Sequence, residues 1–266
     1  MLSISHYPFR VGVILVPRMA TQNSLPVSLI LRHGHHRSPL DGLCAMEAVA
    51  WLAGEEHSDR PKCASPILTE FVKRLNDSSW SKDEDRTDAL LPILPLMIGT
   101  RETYKDDRQW GHELCSLAHA FLSRVAFITI CAAEMNRYII PDIRSAALAH
   151  SERPSVKTAM GLYAAFHKEM GGRTPDDRSA SFYLIHLLNS TLTAVSILGK
   201  AIRTTQEQNT EKASWESIAA AMATISHSFA FSAVYSDIPI NRTIMLRLIS
   251  EDLLKLLQRN RNPPTN

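Results

Sequence analysis

The chain has 266 residues, of which 45% are hydrophobic and 21% charged, and its formal net charge is +2. This length and composition indicate a folded globular protein with one large or two small domains, and they exclude an intrinsically disordered chain. Such a small net charge, with no basic run outside the C-terminal tail, does not indicate a nucleic-acid partner. Four cysteines without a C-x-x-C pair exclude a disulfide scaffold and favour the reducing cytoplasm.

Residues 1–40 lack the helical periodicity of the rest of the chain. The β-branched, apolar stretches VGVILV (11–16) and PVSLILRH (26–33) predict two short strands or an extended arm. The first stretch is bracketed by Arg10 and Arg18 and is too short for a signal peptide or a membrane span.

A helix is predicted after the turn-rich stretch HGHHRSPLDG (33–42). Apolar side chains at helical spacing favour a helix over 42–53. Ser38 or Asp41 is the expected N-cap, because short polar side chains accept hydrogen bonds from free helix N–H groups. Gly54 is placed to end the helix in a left-handed conformation.

The later helices are also marked by local signals. Ser65 followed by Pro66 predicts a helix to about Asn76, since proline at the first helical position has no N–H to leave unsatisfied. Ser81 is the expected cap of a third helix, whose continuation is interrupted by prolines and ends at Gly99. The remaining helices are predicted over about 106–138, 142–151, 154–170, 177–203, 211–235 and 240–259.

The predicted fold class is mainly α, a multi-helix single domain with a short β element or an extended arm at the N-terminus. The arm is residues 1–40, a helix–loop–helix module with the candidate site is 41–105, and a helical bundle packed on that module is 106–260. Residues 182–199 and 217–236 are uncharged and long enough to span a membrane, but their polar side chains favour buried helices. We therefore expect no membrane span.

The candidate catalytic residues are Cys44 and Glu47. A thiol at a helix N-terminus feels a partial positive charge that lowers its pKa and makes it a better nucleophile. Glu47 follows one turn later and would carry a proton, or pair with Arg37 or Arg60, because an unpaired buried carboxylate costs several kcal/mol. The alternative is a partly buried cysteine and a half-exposed carboxylate on an amphipathic helix.

The same region contains a candidate zinc site. Cys44, Cys63, His57 and His35 together form a set of nitrogen and sulfur donors of the kind that binds zinc tetrahedrally. The helix 42–53 is short enough for the following loop to return to its start. The alternative is a solvated, histidine-rich loop, because the spacing of these residues matches no established zinc motif.

Other polar residues and cysteines have structural interpretations. Ser58 and Asp59 are expected to hold a tight turn, with the Asp59 carboxylate accepting backbone N–H groups. The stretch HELCSLAH (112–119) lacks the second histidine of an H-E-x-x-H zinc motif, because Ser116 stands at that position, and its histidines are expected in the core or on the surface. Cys115 and Cys131 lie in apolar sequence and are expected to be small core residues.

Residues 33–101 contain a recurring set of short motifs. They are Gly42-Leu-Cys44-Ala-Met46-Glu47, Ala53-Gly54-Glu55, Ser58-Asp59-Arg60-Pro61-Lys62-Cys63, Leu75-Asn76-Asp77, Arg86 and a leucine-rich ending in Gly99-Thr100. This pattern resembles uncharacterised proteins from actinobacteria and their phages. The resemblance implies a location for the site but no activity.

Two functions remain open. The favoured one is a non-catalytic, cytoplasmic helical protein that binds a protein partner or a second copy of itself. In that case residues 41–63 have only a structural role, as a packed helix and loop. The other is a metal- or thiol-dependent enzyme acting on a small molecule, with its site at the start of the 42–53 helix. Convergence of Cys44, Glu47, Cys63 and a histidine would favour the enzyme.

Overall fold

The computed structural model describes residues 24–25, 28–106, 108–135, 141–171 and 241–261. These residues form eight α-helices and a short 3₁₀ turn at Thr100–Glu102, which confirms a mainly α fold. The helices are α1 Ala45–Ala53, α2 Pro66–Asn76, α3 Asp83–Leu90, α4 Leu94–Met97, α5 Arg108–Met135, α6 Pro141–Glu152, α7 Val156–Gly171 and α8 Arg242–Arg261. The helices predicted over 177–203 and 211–235 lie outside the described residues.

The described part of the N-terminal segment, up to residue 42, consists of turns, bends and irregular backbone with no helix. Residues 1–23, including the first predicted strand, lie outside the described residues. Leu31 and Leu43 form an isolated parallel bridge, in which the N–H of Arg32 donates to the Leu43 carbonyl over 2.9 Å. The described ranges contain no longer strand, so the second predicted strand does not form over 28–33.

Local signals located most helix ends correctly. Gly54 ends α1 with φ 71°, and Gly99 follows α4 with φ 83°. Ser65 caps α2 by accepting the Leu68 N–H at 3.4 Å. The Ser81 cap is wrong: Lys82 is the N-cap of α3 and makes no side-chain cap bond. The Ser81 hydroxyl instead accepts a hydrogen bond from the Thr243 hydroxyl on α8, so a long-range contact determines its position.

One contiguous apolar core includes buried side chains from both the 41–105 and the 106–260 segments. Helix α1 packs on α2 and α4, α8 packs on α3, α4 and α5, and α5 also contacts α2 and α6. Helix α7 packs mainly on α6. The module that carries the candidate site therefore packs on the long helices α5 and α8.

Within the described residues, one helical stretch, Arg108–Cys131, is long and apolar enough to cross a membrane by length and composition alone. More than half of that stretch is buried inside the protein, because α5 is the central helix of the core. Burial therefore accounts for its apolar composition. The two stretches that the sequence marked as long enough, 182–199 and 217–236, lie outside the described residues.

A buried histidine pair, which the sequence analysis missed, joins α5 to α6. His119 is 5% exposed, His150 is fully buried, and their ring centroids are 5.1 Å apart. The Nδ1 atom of His150 lies 2.9 Å from the Thr158 hydroxyl on α7. Burial, with a contribution from His150, lowers the pKa of His119 to about 4. Burial also lowers the pKa of His150, so both rings are neutral at pH 7.

This pair predicts a loss of stability in mild acid. The folded-state pKa of His119 lies below the unfolded value of about 6.5, so between the two values the unfolded chain binds more protons. His119 alone should lower the free energy of unfolding by about 2 kcal/mol between pH 7 and pH 5. Urea titrations at both pH values should show this loss, and it should shrink in His119→Leu but not in the exposed control His112→Leu. Equal losses in all three proteins would contradict the prediction.

Candidate functional site

The candidate site is centred on a fully buried carboxylate, that of Glu47 in the first turn of α1. Its Oε1 accepts the backbone N–H of His36 at 2.7 Å, and its Oε2 accepts the His36 ring Nδ1–H at 2.9 Å. Oε2 also accepts the backbone N–H of Cys44 at 2.8 Å. The Nδ1 atom of His35 lies 2.9 Å from Oε1. Both oxygens of Glu47 are therefore enclosed by donors.

These donors keep the buried carboxylate ionised. Burial by itself would raise the pKa of Glu47, but the backbone N–H groups of His36 and Cys44 and the His36 ring outweigh burial and lower it. Hydrogen bonds to the charged form act in this direction because they stabilise the anion more than the neutral acid. The predicted half-exposed carboxylate is wrong, since Glu47 is fully buried. Among the described residues its ion-pair partners are histidines and not Arg37 or Arg60, and Arg60 pairs with Glu70 at 3.4 Å.

The N-cap of α1 is Cys44, not Ser38 or Asp41. The Cys44 sulfur accepts the Glu47 N–H at 3.5 Å, and Glu47 reciprocates through the Cys44 N–H, which forms a capping box. The bridge at Leu43 keeps the chain extended up to this point, so the helix cannot begin earlier. The Ser38 hydroxyl donates to Asp41 within its own loop, at 2.9 Å.

Polar side chains from α2 hold the start of α1 and the histidine segment together. The Asn76 Oδ1 accepts the Ala45 N–H at 3.1 Å, and its Nδ2 donates to the Arg32 carbonyl at 2.9 Å. The Asp77 carboxylate accepts the Gly34 N–H at 2.8 Å. The first-turn N–H groups of Cys44, Ala45 and Glu47 therefore all have partners.

A buried arginine secures the same segment from α3. The Arg86 guanidinium donates to the carbonyl of Asn76 at 2.8 Å and to that of Leu31 at 3.1 Å, and it pairs with Asp83. Gly42, with φ 131°, lies against the histidine segment, and a Cβ there would approach the Arg32 side chain to 2.8 Å. A side chain at position 42 would therefore displace the loop.

His57 reaches the cluster from the loop after α1. Its Nε2 lies 2.9 Å from the His36 carbonyl and 3.8 Å from Glu47 Oε1. Carbonyl and carboxylate oxygens only accept hydrogen bonds, so the hydrogen atoms lie on His57 Nε2 and His35 Nδ1. The His35 side chain is 60% exposed and that of His57 is 19% exposed.

The thiols are poorly suited to nucleophilic chemistry. Burial, aided by the charge of Glu47, raises the pKa of Cys44 to about 12. Burial and the neighbouring Glu55 raise the pKa of Cys63 to about 12. All four cysteines are free; Cys115 is buried as predicted, whereas Cys131 is exposed and its core assignment is wrong.

The structure brings together part of the predicted ligand set. His35 and His57 meet at Glu47, with Cys44 beside them, whereas the Cys63 N–H donates to Glu55 at 2.8 Å. Among the described ranges, no group of three or more His, Cys, Asp or Glu residues is placed to hold a metal ion. The nitrogens of His57 and His35 that face the cluster lie against oxygen acceptors, the His36 carbonyl and Glu47.

The predicted turn role is confirmed for Ser58, whose hydroxyl accepts the Arg60 N–H at 3.0 Å. The Asp59 carboxylate instead forms an ion pair with Lys73 of α2 at 2.5 Å. Glu55 of the A-G-E motif accepts backbone N–H groups of the same loop. These motif residues therefore shape and anchor the loop after α1.

No protein-family model, no curated protein and no solved structure matches the chain. The resemblance to the actinobacterial and phage proteins therefore stays a prediction.

Replacing Glu47 with glutamine should destabilise the fold by about 2–4 kcal/mol, because the new amide donor would face N–H groups that need an acceptor. Chemical denaturation would measure the loss. Glu70→Gln is the matched control, since it removes the same charge from an ion pair with a largely exposed arginine and should cost less than about 1 kcal/mol. Similar losses in the two variants would contradict a central role for Glu47.

Proposed function

We propose that this chain is a non-catalytic binding protein of the cytoplasm, in which residues 28–106 form a rigid helical platform. The observation that carries the proposal is the enclosure of Glu47, whose side chain is 0% exposed and whose oxygens are surrounded by N–H donors. A general acid or base must reach the substrate, and this carboxylate has no free path to one.

The environment of Cys44 supports the same proposal. Catalytic thiols have a lowered pKa in a positive environment, whereas burial and Glu47 raise that of Cys44. The N–H groups that could stabilise a thiolate are bonded to Glu47 and Asn76. Cys44 is best explained as a helix cap.

The motif residues support a structural role for the whole pattern. Asn76, Asp77 and Arg86 each bind backbone atoms of the histidine segment. The Thr100 hydroxyl accepts the Ser65 N–H at 2.9 Å and so fixes the start of α2. We propose that the proteins sharing this pattern share the platform.

The platform also offers a surface for binding. A cleft of about 670 Å³ lies between the start of α2 and residues 101, 104–106 and 108, a volume within the range of small-molecule sites. A protein partner or a second copy of the chain is the alternative occupant. Four free cysteines support the cytoplasm as the compartment.

Alkylation tests the non-catalytic proposal directly. In native protein treated with iodoacetamide between pH 7 and pH 9, the buried Cys44 should react at least about 100-fold more slowly than the exposed Cys131, because alkylation requires an accessible thiolate. Peptide mass spectrometry measures both rates in one molecule, and urea should make them similar. Fast native alkylation of Cys44 would overturn the proposal and favour a thiol enzyme.

A metal-dependent enzyme is the second candidate, and one observation favours it. The Nε2 atom of His57 faces a carbonyl and the Nδ1 atom of His35 a carboxylate, so in each ring the opposite nitrogen is the one that a metal could bind. Metal-binding histidines commonly have this kind of outer hydrogen bond. Zinc is the metal to which imidazole ligands and the nearby thiols are best suited.

Elemental analysis separates the two candidates. As a binding platform, the purified and dialysed protein should contain zinc well below stoichiometry by plasma mass spectrometry. Near-stoichiometric zinc that is lost in His35→Ala and His57→Ala would favour the enzyme. His112→Ala is the matched control, because His112 is an exposed histidine on α5.

A further inference from the structure

The cleft has two faces of different chemistry. Pro66 and Ile67, at the start of α2, form an apolar side, and Tyr104 lies beside them. The Tyr104 hydroxyl donates to Asn260 of α8 at 2.6 Å, and its ring meets the buried Trp110 ring edge-on, with centroids 4.9 Å apart. The aromatic ring is therefore held in place by contacts on two helices.

The cleft is also lined by cationic side chains. Arg101, Lys105 and Arg108 line it together with one carboxylate, that of Asp106. Arg108 Nε lies 3.0 and 2.9 Å from the two oxygens of Asp106, so this pair is internally neutral. The exposed side chains of Arg101 and Lys105 have no ion-pair partner within the described part of the chain. Two positive charges are thus left facing one cavity.

These two faces match a ligand with a doubly charged group and a flat apolar part. Arginine presents a planar fork of donors and lysine a mobile point charge, and both bind phosphate oxygens well. The positive ends of α2 and α5 add to the field of the two side chains. A fixed tyrosine ring can contact a planar base without losing further side-chain freedom.

We propose that this cleft binds a phosphorylated small molecule with a planar ring, of the size of a nucleotide. Arg101 and Lys105 bind the phosphate groups, and Tyr104 with Ile67 contacts the ring. This inference rests on the proposed function, because it names the ligand class of the platform. It uses no atom of the Glu47 cluster.

Isothermal titration of the full chain with ATP, pyrophosphate and adenosine tests the proposal. ATP should bind most tightly, pyrophosphate more weakly and adenosine least. Arg101→Gln and Lys105→Gln should each weaken ATP binding about tenfold, the equivalent of one charge-assisted hydrogen bond. Lys157→Gln removes an exposed positive charge from α7 and should leave the affinity unchanged. Tyr104→Leu should weaken ATP more than pyrophosphate.

Three results would overturn the inference: no heat from ATP or pyrophosphate at millimolar concentration, unchanged affinity in Arg101→Gln and Lys105→Gln, or adenosine binding as tightly as ATP. Circular dichroism and thermal melts of each variant would show that the fold is retained. The alkylation of Cys44 tests the non-catalytic proposal separately. A failure of nucleotide binding would therefore overturn only the ligand inference and would be distinguishable from a failure of the non-catalytic proposal.

Discussion

The described structure depends on one buried negative charge. An ionised carboxylate that is fully removed from water costs several kcal/mol unless donors replace its hydration. Glu47 obtains those donors from the chain immediately before its own helix, at His36 and Cys44. The loop before α1 must therefore fold back over the helix start. The parallel bridge at Leu31, the left-handed backbone at Gly42 and the bonds from Asn76 and Arg86 are all consequences of that return.

The same constraint extends to the cleft through the backbone. The loop that carries His57 to the cluster continues to Cys63, whose carbonyl accepts the N–H groups of Gly99 and Arg101. Ser65 and Thr100 then join the start of α2 to the 3₁₀ turn. His57, which lies beside Glu47, and Arg101, which lines the cleft, are thus connected through one short, hydrogen-bonded loop. This continuity is why we treat residues 28–106 as one platform.

Local chemistry made much of the fold predictable. Gly54 ends one helix and the Ser65–Pro66 pair begins the next, and each depends only on neighbouring backbone atoms. Both of these predicted helix ends are confirmed. The errors arose where distant parts of the chain decide the outcome. The start of α1 is set by a bridge to Leu31, and the ring of His150 meets that of His119 on another helix. Sequence spacing selected Glu47 as a residue of interest, but it could not show that two adjacent histidines, and not an arginine, would surround it.

A carboxylate that orients imidazole rings occurs both in active sites and in structural networks. What distinguishes an active site is whether the imidazole nitrogens that do not contact the carboxylate are accessible to a metal or a substrate. The ring of His36 lies against Gly42, close enough that a Cβ there would approach its Nε2 to 3.2 Å. The ring of His57 is mostly buried, and only His35 exposes most of its side chain. Catalytic zinc sites usually keep three protein ligands and an open position. One well-exposed imidazole, beside a carboxylate whose oxygens already accept hydrogen bonds, does not supply three such ligands. This is the physical reason for preferring a binding platform to a zinc enzyme.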